Sequence, residues 1–192
     1  MSRGRLEAFS DGVLAVIITV MVLELKVPHG EALATLRPLI SPFLAYVLSY
    51  VYIGIYWNNH HHLMHTVERV SGAVMWANLH LLFWLSLFPA MTAWAGDNPR
   101  AAYPTAAYGV VLLAAALAWL VLQRAIIRAG NPLAPMLGND LKGKLSPAIY
   151  IAGIALAFVQ TWVSDLLFAC VAAMWIVPDR RFEQPAPESE RG

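Results

Sequence analysis

The chain has 192 residues, 59% of them hydrophobic and 13% charged, with a net charge of +1 and a single cysteine, Cys170. That charge content is about half the usual share for a soluble domain, and so much apolar surface cannot be hidden inside one small globule, so an integral membrane protein is the natural class. The near-zero net charge gives no reason to expect a nucleic-acid partner, and one cysteine excludes an internal disulfide framework.

Six apolar segments follow one another. The first, residues 6–25, stops at Lys26-Val27-Pro28. Its uninterrupted apolar middle, residues 12–23, covers only about 18 Å of a hydrocarbon core about 30 Å thick. Asp11 and Glu24 must therefore sit near the edges of the span, shielded by protein or water. A helix of this kind belongs at the centre of an assembly. Arg3 and Arg5 ahead of an apolar stretch suggest a signal peptide. But Glu7 and Asp11 interrupt the pattern and no small-residue cleavage site follows Leu23, which argues against one.

The second segment, residues 39–58, is rich in Tyr and runs into Trp57-Asn58-Asn59-His60-His61-His62. The third, residues 72–95, carries Asn78 and His80, with a kink expected at Pro89. Gly96-Asp97-Asn98-Pro99 is a turn. The fourth, residues 105–127, is almost entirely Ala, Leu and Val. A polar connection over 128–145 leads to two short segments, 147–161 and 166–177, separated by 162–165. Fused, they would make an over-long helix with Asp165 inside it, so a tight hairpin of short spans is expected. Residues 1–178 then form one six-helix membrane domain, and the charged, Pro-containing tail 179–192 is expected to be disordered.

Six spans place Arg3, Arg5, Arg69, Arg124, Arg128, Lys142, Lys144, Arg180, Arg181 and Arg191 on one side, and Lys26, Arg37 and Arg100 on the other. The positive-inside rule then makes both termini cytoplasmic.

On a helical wheel, Val16, Thr19, Val20 and Leu23 share one sector of the first helix, and Gly12 extends it. Ser10 and Asp11 project well away from it. By itself an aliphatic stripe reads as ordinary helix packing. Depth-matching brings Arg5, Ser10 and Asp11 level with His60, His61, Trp76, Asn78 and His80, and a polar cluster that locks the first three helices is expected there. The alternative is that these groups face headgroups and water. His61 and His65 are spaced i, i+4, which suits a metal ion, with Glu68 or His80 as possible third ligands. Nothing in the sequence brings these close, so no metal site is assigned. No nucleophile constellation or phosphate loop marks an enzyme.

Arg5-x-x-x-Phe9-Ser10-Asp11 resembles the R-x(3)-F-S-D signature of the transmembrane protein 175 potassium channels. Tyr56-Trp57-Asn58-Asn59-His60-His61 is similar to that family's Y-W-x-x-H-H ending of the second helix, and Asn78 and Pro89 sit in a similar third helix. The resemblance implies a one-repeat, bacterial-type subunit in the inner membrane that assembles as a homotetramer in the lipid bilayer. Helix one would line a central pore for potassium and other monovalent cations, without a carbonyl filter or any cofactor. It further implies a tight ring at Val16, where family members often carry Ile or Leu, with Val20 and Leu23 beyond it. Thr19 beside these rings would bias selection. Two other readings stay open: an ion- or proton-coupled secondary transporter using Asp11, and a His-rich membrane metalloprotein.

Overall fold

The first long helix, α1 (Arg3–Leu23), buries Leu6, Ser10, Leu14, Ile17 and Met21 at spacings of three or four, so one stripe of it faces the rest of the chain. The structure, a computed structural model, describes residues 2–28, 31–133 and 141–176. The expected disordered tail at 179–192 lies outside them. After α1 a 3-10 helix (Leu33–Leu39) leads into α2 (Ile40–His65), followed by α3 (Gly72–Ser86), α4 (Phe88–Asp97), α5 (Ala102–Arg128), α6 (Leu141–Leu156) and α7 (Thr161–Ile176). All regular structure among the described residues is helical.

Four stretches are long and apolar enough to cross a membrane: Arg3–Leu23, Leu33–His65, Gly72–Asp97 and Ala102–Arg128. The third of these is α3 and α4 together. It breaks at Leu87, whose N–H bonds back to the Trp84 carbonyl at 3.3 Å. Two residues on, Pro89 has no N–H to offer the Leu85 carbonyl and sits instead in the first turn of a new helix, where that loss costs nothing. With α6 and α7 as a hairpin of shorter helices, six helical units result.

The hairpin departs from the sequence expectation. The turn falls at residues 157–160 rather than 162–165, and Pro147 lies inside α6 instead of opening it. Two bonds to the Leu156 carbonyl, from Val159 at 2.9 Å and Gln160 at 2.8 Å, close the turn. Ser164 then donates to the Gly153 carbonyl at 2.7 Å across the hairpin, which pulls Ser164 and Asp165 into α7. Helices α6 and α7 approach closely because Gly153 has no Cβ, and α5 closes on both because Gly109 has none. One added at Gly109 would lie 2.6 Å from Phe168 Cζ, and one at Gly153 would overlap Phe168 Cε1.

Helix α5 is the spine. Ala115, Ala118, Leu122 and Ile126 are fully buried, and the helix packs on α3 and α4 to one side and on α6 and α7 to the other. Among the described residues, helix α1 packs chiefly on α2, α3 and α4. Asn131 ties the α2–α3 connection to the end of α5: its Oδ1 accepts from Glu68 N at 2.8 Å and Arg69 N at 2.9 Å, and its Nδ2 donates to the Ile126 carbonyl at 3.1 Å. At the opposite end Lys26 pairs with Asp97 at 2.6 Å. Arg3, Arg69, Arg128 and Lys142 thus collect at one end of the bundle, and Lys26 and Arg100 at the other.

Candidate pore-lining face and its supporting network

Around α1 the two faces differ sharply. Opposite the buried stripe, Val16 is 59% and Leu23 81% exposed, and Phe9 and Val20 are exposed with them. Gly12 and Thr19 lie on the same open side. No part of the described chain covers this stripe. An open groove of about 790 Å³ between α1 and α4 is lined by Phe9, Gly12, Val16, Val20, Ser86 and Pro89 among others. Thr19 Oγ1 donates to the Val16 carbonyl at 2.8 Å. With its proton committed to the backbone, the hydroxyl has only lone pairs left for anything outside the helix.

The buried face is held by a directional chain of hydrogen bonds. Asn78 Oδ1 is an acceptor only, so His60 Nε2, at 2.8 Å, must donate to it. Asn78 Nδ2 donates to Ser10 Oγ at 2.9 Å, and Ser10 Oγ donates to the Leu6 carbonyl at 2.9 Å. Ser10, His60 and Asn78 are all buried. One side chain each from α2, α3 and α1 is thereby locked, with His60 as the neutral Nε2–H tautomer. Among the described residues, His60 Nδ1 is buried without a hydrogen-bond partner.

The expected polar cluster therefore forms with fewer members. Arg5, Trp76 and His80 are exposed and Asp11 is half-exposed, and none of them joins the chain of bonds. The reason is helical phase. Trp76 and His80 each lie about 160° round the helix from Asn78, and Arg5 falls within about 20° of Val16, on the open stripe. His80 instead accepts from Trp84 Nε1 at 3.0 Å on its own helix.

His61 goes elsewhere too. Its Nδ1 lies 2.9 Å from Glu7 Oε1, and its Nε2 lies 3.1 Å from His65 Nε2. Glu7, His61 and His65 are the three residues whose ligand atoms gather within 4.8 Å of one another. The sequence had suggested Glu68 or His80 as third partner. Glu68 is engaged through its backbone with Asn131, and His80 is on the far face of α3. Glu7 was missed, although it lies three residues before Ser10 and so close to the packing face.

A family model described as the endosomal/lysosomal potassium channel TMEM175 matches residues 5–89, from the first residue of the Arg5 motif to Pro89 in α4. A protein of Chryseobacterium sp. (strain P1-3) named as a potassium channel is 48% identical over 192 residues, covering 98% of this chain and 100% of the relative. The chain belongs to the TMEM175 potassium-channel family, a family of ion channels and not of enzymes. A Streptomyces collinus protein, also named as a potassium channel, is 35% identical over 171 residues, 82% of this chain and 83% of the relative. The crystal structure of a TMEM175 homologue from Chamaesiphon minutus, titled a lysosomal potassium-selective channel, superposes with a TM-score of 0.76. It is 29% identical, over 91% of this chain and 96% of that one. This is an integral membrane protein.

Proposed function

We propose that the protein is a potassium-preferring cation channel in which four copies enclose a central pathway lined by the open face of α1. The observation that carries this reading is the stripe Val16, Val20 and Leu23, left bare in the middle of an apolar helix. Its opposite face is fixed to α2, α3 and α4. Lipid would tolerate an apolar stripe, but lipid gives no use to the free lone pairs of Thr19 within it. Facing a shared axis gives them one.

Four-fold rings of Val16, Val20 and Leu23 make a collar that a hydrated ion enters reluctantly, because water held by such walls drains from a narrow bore. Slight outward movement of α1 wets the collar and current flows. Thr19, with its proton on the Val16 carbonyl, offers the ring of oxygen lone pairs that replaces part of a cation's hydration. The end carrying Arg3, Arg69, Arg128 and Lys142 faces the cytoplasm of a bacterial inner membrane.

Reconstitution in planar bilayers tests the reading. Unitary currents reversing near the potassium equilibrium potential are expected, and Val16→Asn should raise the basal open probability several-fold by wetting the collar. A slow, saturable flux without unitary events would instead favour an ion-coupled transporter using Asp11. Wild-type conductance in both Val16→Asn and Leu23→Asn would remove α1 from the gate.

A further inference from the structure

We propose that His61 and His65, positioned by Glu7, bind a divalent transition-metal cation of the Zn²⁺ class, and that the bound cation clamps the start of α1 to the end of α2. This goes beyond the pore and does not depend on it, because Glu7 lies roughly opposite Val16 on the helix.

The geometry is close to that of a two-histidine site. Glu7 Oε1 stands 2.9 Å from His61 Nδ1, and a carboxylate at neutral pH only accepts. His61 therefore carries its proton on Nδ1 and offers a lone pair from Nε2. That lone pair meets His65 Nε2 at 3.1 Å, so in the metal-free protein a His65 proton fills the gap. A cation at about 2.05 Å from each nitrogen, the usual Zn–N distance, would see the pair at an angle of about 100°, near the tetrahedral value. The spacing i, i+4 on one helix supplies this without backbone movement. His65 needs only to carry its proton on Nδ1, which an exposed ring does freely. Water completes the shell, since both rings are solvent-exposed.

Glu7 plays the part that carboxylates play behind ligating imidazoles: it holds the tautomer, orients the ring and raises its basicity. Because Glu7 is on α1 and both histidines are on α2, each strengthening of the His61 bond tightens the junction between those helices. Arg3, whose Nη1 donates to the His65 carbonyl at 3.3 Å, brings a guanidinium close to the site. It is exposed and screened. Nitrogen donors favour Zn²⁺, Cu²⁺ or Ni²⁺ over Mg²⁺.

The test uses the full chain, purified in detergent with any affinity tag removed, titrated with ZnCl₂ by calorimetry. One saturable Zn²⁺ per chain is expected, with MgCl₂ unable to compete. His65→Ala should abolish binding, Glu7→Gln should weaken it by about ten-fold, and His80→Ala should leave it unchanged. His65 is exposed, so its replacement should leave the fold intact by size exclusion, and His65→Asn provides a second ligand-deleting variant. Undiminished binding in both His65 variants, or no saturable binding by the folded wild type below about 1 mM, would overturn the proposal. Equal affinity in Glu7→Gln would overturn the part given to Glu7.

Discussion

Asn78 is the side chain on which three helices depend. Replacing it with Ala leaves His60 Nε2 buried without its acceptor and takes from Ser10 Oγ the donor it accepts from, leaving Ser10 only its bond to the Leu6 carbonyl. A buried polar group stripped of its hydrogen bond costs about 1–3 kcal/mol. Asn78→Ala should therefore lower the apparent unfolding free energy by about that amount in an SDS titration of the detergent-solubilised protein. His60 Nδ1 is already unsatisfied, which leaves little reserve at this point. Thr19 acts on the other face. Thr19→Ala removes the lone pairs but keeps the helix, so the ratio of potassium to sodium permeability should fall, read from reversal potentials in mixed solutions, while stability is unchanged. An unchanged ratio would place selection elsewhere on α1.

Each helix is shaped by what its two sides must touch. In α1 the division is clean: the stripe through Leu14, Ile17 and Met21 is buried, and that through Val16 and Leu23 is open. In the hairpin the constraint is closeness. Phe168 fills the space beside Gly109 and Gly153, and its carbonyl accepts from Tyr52 Oη at 2.6 Å. Gly153→Ala would drive a methyl into the Phe168 ring. Overpacking of this kind costs about 1–3 kcal/mol, and a thermal-unfolding midpoint lowered by several degrees, with pore properties retained, is the expected result. The broken third span has a comparable local cause in Pro89, and its two halves meet α5 at different points along the spine.

For the whole molecule, the arrangement is lopsided in a useful way. Among the described residues, α5 has neighbours on both sides, whereas α1 packs mainly through one face. A subunit with its most distinctive helix at the edge is suited to closing a ring. If four copies close the ring as proposed, mass photometry or native mass spectrometry of the detergent-solubilised protein should show a tetramer. A monomer that still conducted would require the pathway to run inside a single chain. The Lys26–Asp97 pair, whose side chains are 68% and 44% exposed, is a minor contributor, since exposed pairs are worth about 0–1 kcal/mol.

Hydropathy and periodicity belong to short windows of chain, and what rests on them was legible from the residues alone. The class, the six apolar units, the break near Pro89 and the apolar stripe of α1 all follow from local pattern. The Arg5-to-Asp11 motif pointed to the family for the same reason. Contacts between helices are a different matter, because depth along the membrane axis does not determine rotation about each helix. Depth alone put Arg5, Trp76 and His80 in the same cluster as Asn78, and rotation took them out. Rotation also turned Glu7 toward His61, a pairing no spacing rule contains. The hairpin turn moved by several residues because the bond from Ser164 to Gly153 and the packing of Phe168 outweighed the local preferences of Pro147 and Asp165. The sequence by itself determined that α1 carries an apolar stripe through Val16, Val20 and Leu23. Only the packed helices decided which polar groups hold the opposite face in place, because that depends on the phases at which separate helices meet.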